Sequence, residues 1–449
     1  MKKLFLFAVT MLAISSLSYA QYTYDSSFPN NSKEDSVLIG TGNGLHGVAV
    51  GLDGNVWTVN YNTYIKGDSL LNATTGKNGA VLPLRIWKKD GTPASFSPLM
   101  ILKGGSVTDT LWKGNTGRGL STAADGNILF TWFGNVYLLD YRTGAVITRI
   151  IASTKNSGIA AASDVAGNIF TGPVANNVEP LVMWDKSGTK QGNVTDTTRY
   201  FSRTLTVSRA GDKVYFAGYT GHCIIRYTGD PLLGFTADTV LKGFDSEAIA
   251  RSGKTDMLWV AAGSGNDKPN RYPGVTTSYS SHTWYLWDPA TSTIKDSIKW
   301  NGLGQFTAAD SAAVRPRGVA TTKNGDTVYV VMFGAKAGMY SVQRFVGPKT
   351  SSVHREEGIV AENYSLSQNY PNPFNPSTKL KFTLKNTATI SLKVYDVLGK
   401  EIVTLAEGQY TAGAYDVNFN ASNLSAGMYF YTLTTSDGYS VTKKMLLIK

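Results

Sequence analysis

The sequence predicts an all-β fold: a six-bladed β-propeller followed by a small immunoglobulin-like β-sandwich. Three observations carry that reading. Of 449 residues, 46 are Gly, 11% are aromatic and only 17% are charged, the balance expected of many short, tightly turned strands. A two-strand unit with a Gly-centred turn recurs six times between His46 and Tyr329. The last stretch, from about residue 364, alternates apolar and polar residues with period two, as half-buried strands do.

In chain order the first element is an export signal. Lys2 and Lys3 precede a mostly apolar run from Leu4 to Leu17, and Ser18-Tyr19-Ala20 puts small residues at the positions a signal peptidase reads. A signal peptide over 1–20 and a mature chain from Gln21 follow; the run is too short for a membrane anchor. No other apolar stretch is long enough to span a bilayer, so a soluble mature chain with no transmembrane segment is expected. Cys223 is the only cysteine. An exported chain with no internal disulfide depends on core packing and sheet hydrogen bonds, and Cys223, in His222-Cys223-Ile224-Ile225-Arg226-Tyr227, reads as a buried strand residue.

The propeller is assigned to 21–346. Its repeats join a short small/apolar strand to a second strand with aromatics. The pairs are His46–Val50 with Asp53–Trp57, Arg118–Thr122 with Asp125–Leu129, and Gly158–Ala161 with Ala166–Phe170; then Arg203–Val207 with Gly211–Tyr215, Glu247–Ala250 with Asp256–Trp259, and Arg317–Thr321 with Gly325–Tyr329. Asp-Gly and Gly-Asp supply the positive φ of a tight hairpin. Small residues in the first strand suit a crowded axis, and the aromatic after the turn fills the space between sheets. Third strands follow at Leu84–Trp87, Val136–Asp140, Leu181–Asp185 and Trp284–Asp288. Units of about 40 residues repeated in this way point to a propeller; the runner-up is an array of sandwiches. Long intervals in repeats one and five are insertions or further blades. The sixth repeat lacks a fourth strand, and Ser36-Val37-Leu38-Ile39-Gly40 is the expected donor, closing the circle and removing a sheet edge.

A polar linker over 347–363, beginning Gly347-Pro348-Lys349-Thr350-Ser351-Ser352, leads to the last domain, 364–449. There Leu380, Phe382 and Leu384, then Ile390, Leu392 and Val394, alternate with polar residues, and Leu398-Gly399-Lys400 and Ser436-Asp437-Gly438 read as hairpin turns. About seven strands fit an immunoglobulin-like sandwich.

Two resemblances rest on these residues. The segment opening Asn369-Tyr370-Pro371-Asn372-Pro373-Phe374-Asn375-Pro376-Ser377-Thr378 and ending Met445-Leu446-Leu447-Ile448-Lys449 resembles the FlgD-like, Por-type C-terminal sorting domain of type IX secretion cargo. The resemblance implies passage through the periplasm to the outer surface of a bacterium, recognition by the type IX translocon, cleavage by a sortase-like protease, and either attachment to anionic lipopolysaccharide or release. The repeat unit is similar to the NHL and related six-bladed propellers, which implies a ligand face around the mouth of a central channel.

In that geometry the residue before each innermost strand lies at the mouth. Those positions hold His46, Arg118, Ser157, Arg203, Glu247 and Arg317, candidates for binding a carboxylate, phosphate, sulfate or acidic sugar through guanidinium forks. Solvation of a water-filled channel, with Glu247 paired to an Arg, is the alternative. The insertions 60–83 and 263–282 and the connections 103–117 and 300–316 are expected on the same face, where Tyr61, Tyr64, Tyr272, Tyr279 and Trp300 could stack on sugars or pack in loops. Lactonase-like propellers hold a divalent cation with several acidic ligands, and this ring has only Glu247; lyase-like propellers use His, Tyr and Arg, and no second channel histidine is evident. His222, His282 and His354 read as incidental. No metal or other cofactor is expected, and no hydrolase, metalloprotease, P-loop or calcium-loop motif occurs.

The charge is uneven. Residues 21–355 carry 33 Lys/Arg against 24 Asp/Glu, whereas 356–449 balance at eight and eight. A basic body favours anionic polymers or surfaces, but the positive residues are dispersed and no nucleic-acid motif accompanies them. The expected function is a secreted or surface-anchored, noncatalytic binding or scaffolding propeller for an anionic or glycan ligand. The alternative is an extracellular lyase or hydrolase using the same face.

Overall fold

The computed structural model describes residues 22–28, 44–61, 68–253, 255–262, 272–275, 279–302, 315–333, 342–347, 353–356, 362–421 and 424–448. The signal peptide, the Ser36–Gly40 segment, Tyr64 and much of the 263–282 and 300–316 connections lie outside the described residues.

Asp-Gly turns set the hairpins. Asp53 Oδ1 accepts from Asn55 N at 3.0 Å while Gly54 takes φ 79°, and Asp125 with Asn127 repeats the clamp at 2.9 Å around Gly126, φ 88°. Each hairpin pairs an inner strand with a second strand, and all pairings within the sheets are antiparallel. The first sheet joins Leu45–Val50, Val56–Asn60 and Arg85–Trp87; the second runs Gly117–Thr122, Ile128–Trp132, Asn135–Leu139 and Val146–Ile151. The third runs Ala162–Ser163, Ile169–Thr171, Leu181–Trp184 and Lys190–Thr195; the fourth Ser202–Val207, Lys213–Gly218, Cys223–Asp230 and Gly234–Lys242. The fifth runs Ile249–Arg251, Leu258–Ala262, Thr283–Asp288 and Thr293–Lys299; the sixth Arg315–Thr321, Thr327–Phe333, Val342–Val346 and, outermost, Thr23–Phe28. Each inner strand neighbours the next, and the sixth returns to the first. The body is therefore a propeller with six sheets among the described residues.

The closing strand differs from the expected one. Thr23–Phe28, not Ser36–Gly40, pairs with Val342–Val346, from Thr23 opposite Val346 to Phe28 opposite Val342. Its packing comes from flanking rings: Tyr24 meets Phe345 edge-on at 5.8 Å, and Tyr22 meets Trp259 at 5.1 Å. The aromatics after the turns sit between sheets as expected: Trp57, Phe170, Tyr215, Trp259 and Tyr329 are buried, and Phe130 serves the second repeat. Each such ring removes about 200 Å² from water, a gross gain of about 5 kcal/mol. At the axis the inner strands touch so closely that a Cβ on Gly119 would collide with Ala160.

The first insertion contains two hairpins. Ser69–Asn72 pairs with Lys77–Ala80, and the buried Asp68 carboxylate anchors this hairpin by accepting twice from Arg85 Nη2, at 3.0 and 2.8 Å. Ile101–Gly104 pairs with Val107–Thr110. The 103–117 connection is thus no open loop: Asp109 accepts from Tyr137 Oη at 2.7 Å and Arg149 Nη1 at 3.0 Å, fastening it along the flank of the second sheet.

The last domain is a β-sandwich of two four-stranded sheets. One holds Val353–Glu356, Gly413–Asn420, Ser377–Leu384 and Ser365–Leu366; the other Glu401–Tyr410, Ala388–Tyr395, Gly427–Thr435 and Ser440–Leu447. The alternating residues Leu380, Phe382, Leu384, Ile390, Leu392 and Val394 share one core with Phe374, Tyr431 and Leu447. Val353–Glu356, inside the stretch read as a linker, is an edge strand of this sandwich and pairs with Gly413–Asn420. Among the described residues no helix is long and apolar enough to cross a membrane.

Candidate functional site

His46, Arg118, Arg203, Glu247 and Arg317 line one small cavity at the start of the inner strands, together with Gly47, Gly119 and Gly318. Ser157 joins them at one remove: its Oγ accepts from Arg118 Nε at 2.8 Å and lies 3.0 Å from Thr116 Oγ1. The backbone explains the convergence. In the first sheet the register jumps from Leu45–Asn60 to Gly47–Val59, skipping His46. In the second it passes over Arg118, in the fourth over Arg203 and Thr204, and in the sixth over Arg317. Each of these residues is the extra member of a β-bulge, which re-aims a side chain out of the alternating pattern, here toward the axis. Glu247 and Ser157 arrive differently, from backbone outside the strands: Glu247 lies two residues before Ile249 and Ser157 five residues before Ala162.

Aromatic rings back the guanidiniums. Arg118 lies 4.8 Å over Tyr61, Arg203 5.3 Å over Tyr219 and Arg317 4.9 Å over Phe333, each a cation–π contact. Arg118 Nη2 also donates to Tyr61 Oη at 2.9 Å. Tyr61 therefore belongs to the ring itself, and it stacks on His46 at 5.3 Å. Tyr219 and Phe333 were not singled out from sequence; the signal was their place at or just after the second strand, at the level of the ring. The other insertion aromatics pack inward: Trp300 is buried against Trp284, and Tyr279 against Phe244 and Tyr285. Lys242 covers Tyr272 at 5.2 Å.

Charge at the ring is unbalanced. Glu247 pairs with Arg317, both side chains almost wholly buried. Glu247 is the one carboxylate among the cavity's lining residues and it pairs with Arg317 rather than with Arg203 or Arg118; Arg203 Nε is buried without a hydrogen-bond partner among the described residues. Burial, then the neighbouring Arg203, draws Arg317 down to about 9, and the same two causes lower Arg118. His46 is held well below the usual histidine range by burial and then by Arg317, Arg203 and Arg118. It is neutral, and its Nδ1–H donates to the Arg118 carbonyl at 2.7 Å, leaving Nε2 as an acceptor. The cavity has about 20 Å³ of open space, room for one water-sized occupant.

The remaining histidines lie elsewhere. His222 is not within a strand but in a left-handed turn before Cys223, φ 55°, paired with the buried Asp245 carboxylate. His282 precedes Thr283–Asp288, and His354 lies in Val353–Glu356. Burial pushes the Cys223 thiol up to about 11, so it carries no thiolate at neutral pH. Among the described residues no group of three or more His, Cys, Asp or Glu could hold a metal ion.

Among curated proteins none matches this chain. Among solved structures, Raptor from Chaetomium thermophilum is similar at 10% identity and a TM-score of 0.43, over 73% of this chain and 29% of that one. The extracellular domain of a hybrid two-component system protein from B. thetaiotaomicron is similar at 12% identity and 0.36, over 96% and 59%. A protein of unknown function from Bacteroides caccae is similar at 13% identity and 0.35, over 55% and 78%. The chain thus spans about three tenths of the Raptor chain and six tenths of the second. Residues 368–449 match the family of secretion system C-terminal sorting domains. The core of that segment is the β-sandwich, where Phe374 of the Asn-Pro-Phe-Asn-Pro stretch is buried and its backbone N donates to Leu446 O at 2.9 Å. Residues 368–449 thus form a secretion system C-terminal sorting domain, which supports reading the chain as type IX secretion cargo.

Proposed function

We propose that this cargo is a noncatalytic binding propeller that recognises an anionic group at the arginine ring. The single observation behind the reading is the charge of one cavity: three guanidiniums and a neutral imidazole face one carboxylate. Buried positive charge without a partner is costly, and an anion held by the free N–H groups offsets it. The small volume admits only the leading oxygen of an anion, so an inorganic anion, or the terminal carboxylate or sulfate of a glycan, would sit across the cavity mouth with the rest of the group outside it. In this reading the signal peptide 1–20 delivers the chain to the periplasm. The translocon then reads 364–449, a sortase-like protease removes it, and the propeller stays on the outer surface or is released.

Titration of the full mature chain with sulfate, acetate and glucuronate by calorimetry tests the binding. One of these anions should bind, and Arg203→Gln should weaken it about tenfold, the worth of one charge-assisted hydrogen bond. Absence of binding by all three, or affinity untouched by Arg203→Gln, removes the reading. Turnover of an acidic glycan that is lost on His46→Ala would favour the lyase or hydrolase alternative. For export, deletion of 364–449 should trap the protein in the periplasm, and normal surface display after that deletion would contradict the assignment.

A further inference from the structure

The channel has a second end whose chemistry differs from that of the arginine ring. Where the inner strands run out into their turns, all six sheets line a cavity of about 380 Å³, within the range of small-molecule sites. Leu120, Thr204, Ile249 and Val319 border both this cavity and the ring cavity, so one mostly apolar collar separates the two. That collar is the floor of the wider site.

Four of the hydroxyls on its wall are engaged between sheets. Ser121 Oγ donates to Ala161 O at 2.5 Å and Thr122 Oγ1 to Val50 O at 2.9 Å. Ser163 Oγ accepts from Ala124 N at 3.0 Å, and Thr321 Oγ1 from Gly253 N at 2.9 Å. A polyol needs several uncommitted donors and acceptors, and these four hydroxyls leave few of them. The charged lining residues are Arg209, Arg251 and Lys323, with no Asp or Glu among them. Arg251 is the enclosed one; it donates from Nη1 to Val207 O at 3.1 Å. The carboxylates whose fields reach it, Asp256 and Asp164, are held in turns: Asp256 accepts from Arg209 N at 2.6 Å, and Asp164 from Asn168 N at 2.9 Å and Nδ2 at 2.7 Å. Donors of positive charge above an apolar floor suit a ligand with one anionic end and one apolar end. A bare inorganic anion would leave the floor and most of the volume unfilled.

We propose that this second mouth binds a small organic acid, its carboxylate on Arg251 and its apolar body against Leu120, Ile249 and Val319. The test uses the full mature chain, with benzoate as the probe and benzamide as its neutral counterpart, read by calorimetry and by saturation-transfer NMR. Benzoate should bind and benzamide should bind at least about tenfold more weakly, because one charged hydrogen-bonded pair is lost. Arg251→Gln should weaken benzoate to the same extent. Should that variant fail to fold, Val165→Glu serves instead: Val165 lines the cavity and is 52% exposed, so a carboxylate there is tolerated and repels the probe several-fold. The proposal is overturned by no binding at millimolar benzoate, by equal binding of benzoate and benzamide, or by affinity unchanged in both variants. Loss of benzoate binding in Arg118→Gln instead would locate the acid at the arginine ring and also overturn it.

Discussion

Glu247→Gln isolates the charge that holds the ring together. Gln keeps the volume and one acceptor oxygen, so no cavity opens and the loss is electrostatic. Glu247 and Arg317 side chains are 3% and 5% exposed. Removing one partner of such a pair costs about 3–5 kcal/mol, since the other charge stays buried. Here the surviving charge also faces Arg203 and Arg118, the neighbours that, after burial, already lower its proton affinity. All nine tryptophans precede residue 301 and none lies in the sandwich, so tryptophan fluorescence in urea reports the propeller alone. With a slope of about 3 kcal/mol per molar, the midpoint should fall by about 1 M. Arg317→Met in the Glu247→Gln background should recover most of this, because an apolar replacement of both partners removes the buried charge. Sulfate should stabilise Glu247→Gln more than the parent, since the cavity loses its only carboxylate. A cost under about 1 kcal/mol, or a double variant no better than the single one, would refute the reasoning.

Burial leads the forces that raise Tyr22, Tyr215, Tyr227 and Tyr431 to about 12. Unfolded, they lose protons near pH 10, so between about 10 and 12 the unfolded state binds fewer protons and stability falls as pH rises. Arg317, drawn down to about 9, and Arg118 and Arg251, also lowered, act with the opposite sign, but against these four tyrosines and further raised ones such as Tyr137 and Tyr329. Unfolding should therefore begin above pH 10 and coincide with the rise of tyrosinate absorbance. Tyr431→Phe removes an Oη that accepts from Asn369 N and donates to Ser367 O, both at 2.8 Å. Calorimetry should show the sandwich destabilised by about 1–3 kcal/mol. Deleting residues 22–28 bares the edge of Val342–Val346 and should produce aggregation visible by size-exclusion chromatography. Arg344→Ala, which loses the partly exposed pair with Asp25 and a hydrogen bond from Nη1 to Lys89 O at 3.0 Å, should cost about 1–2 kcal/mol.

Repeats and turns were legible because Asp-Gly chemistry is local: Gly54, Gly126, Gly211 and Gly325 all take the positive φ their turns require. The ring residues were legible for a related reason, as each holds the same position in its repeat. What carries them to the axis was not. A bulge is a mismatch of register between two strands, and nothing in Leu45-His46-Gly47 alone says which residue its partner will skip. Tyr219 and Phe333 were hidden likewise, because a cation–π contact depends on where a second strand ends relative to the first. The closing strand, Thr-Tyr-Asp-Ser-Ser-Phe, has only two apolar residues and lies on a half-exposed edge. Its place is decided by pairing with a strand more than 300 residues away. The inner strand of the third sheet shrank to Ala162–Ser163, because Ala160 bonds outside its own sheet: Ala160 N donates to Arg203 O at 3.0 Å.

The two ends of the channel follow from one steric fact. Gly47, Gly119 and Gly318 let neighbouring inner strands approach until a Cβ would strike the next backbone or side chain, so large side chains cannot enter at that level. Cationic side chains reach the axis only where a bulge turns them inward at one end, or where the strands part into turns at the other. The collar between these ends is built from Leu120, Thr204, Ile249 and Val319, too apolar to screen charge. The positive field of the ring is therefore confined to a nearly closed space, and an anion bound there acts on stability by mass action. At one hundred times its dissociation constant a ligand adds about 2.7 kcal/mol, close to what the loss of Glu247 removes. Folding of the propeller and occupancy of its ring are on this argument coupled, and the coupling should be strongest where the ring lacks its carboxylate.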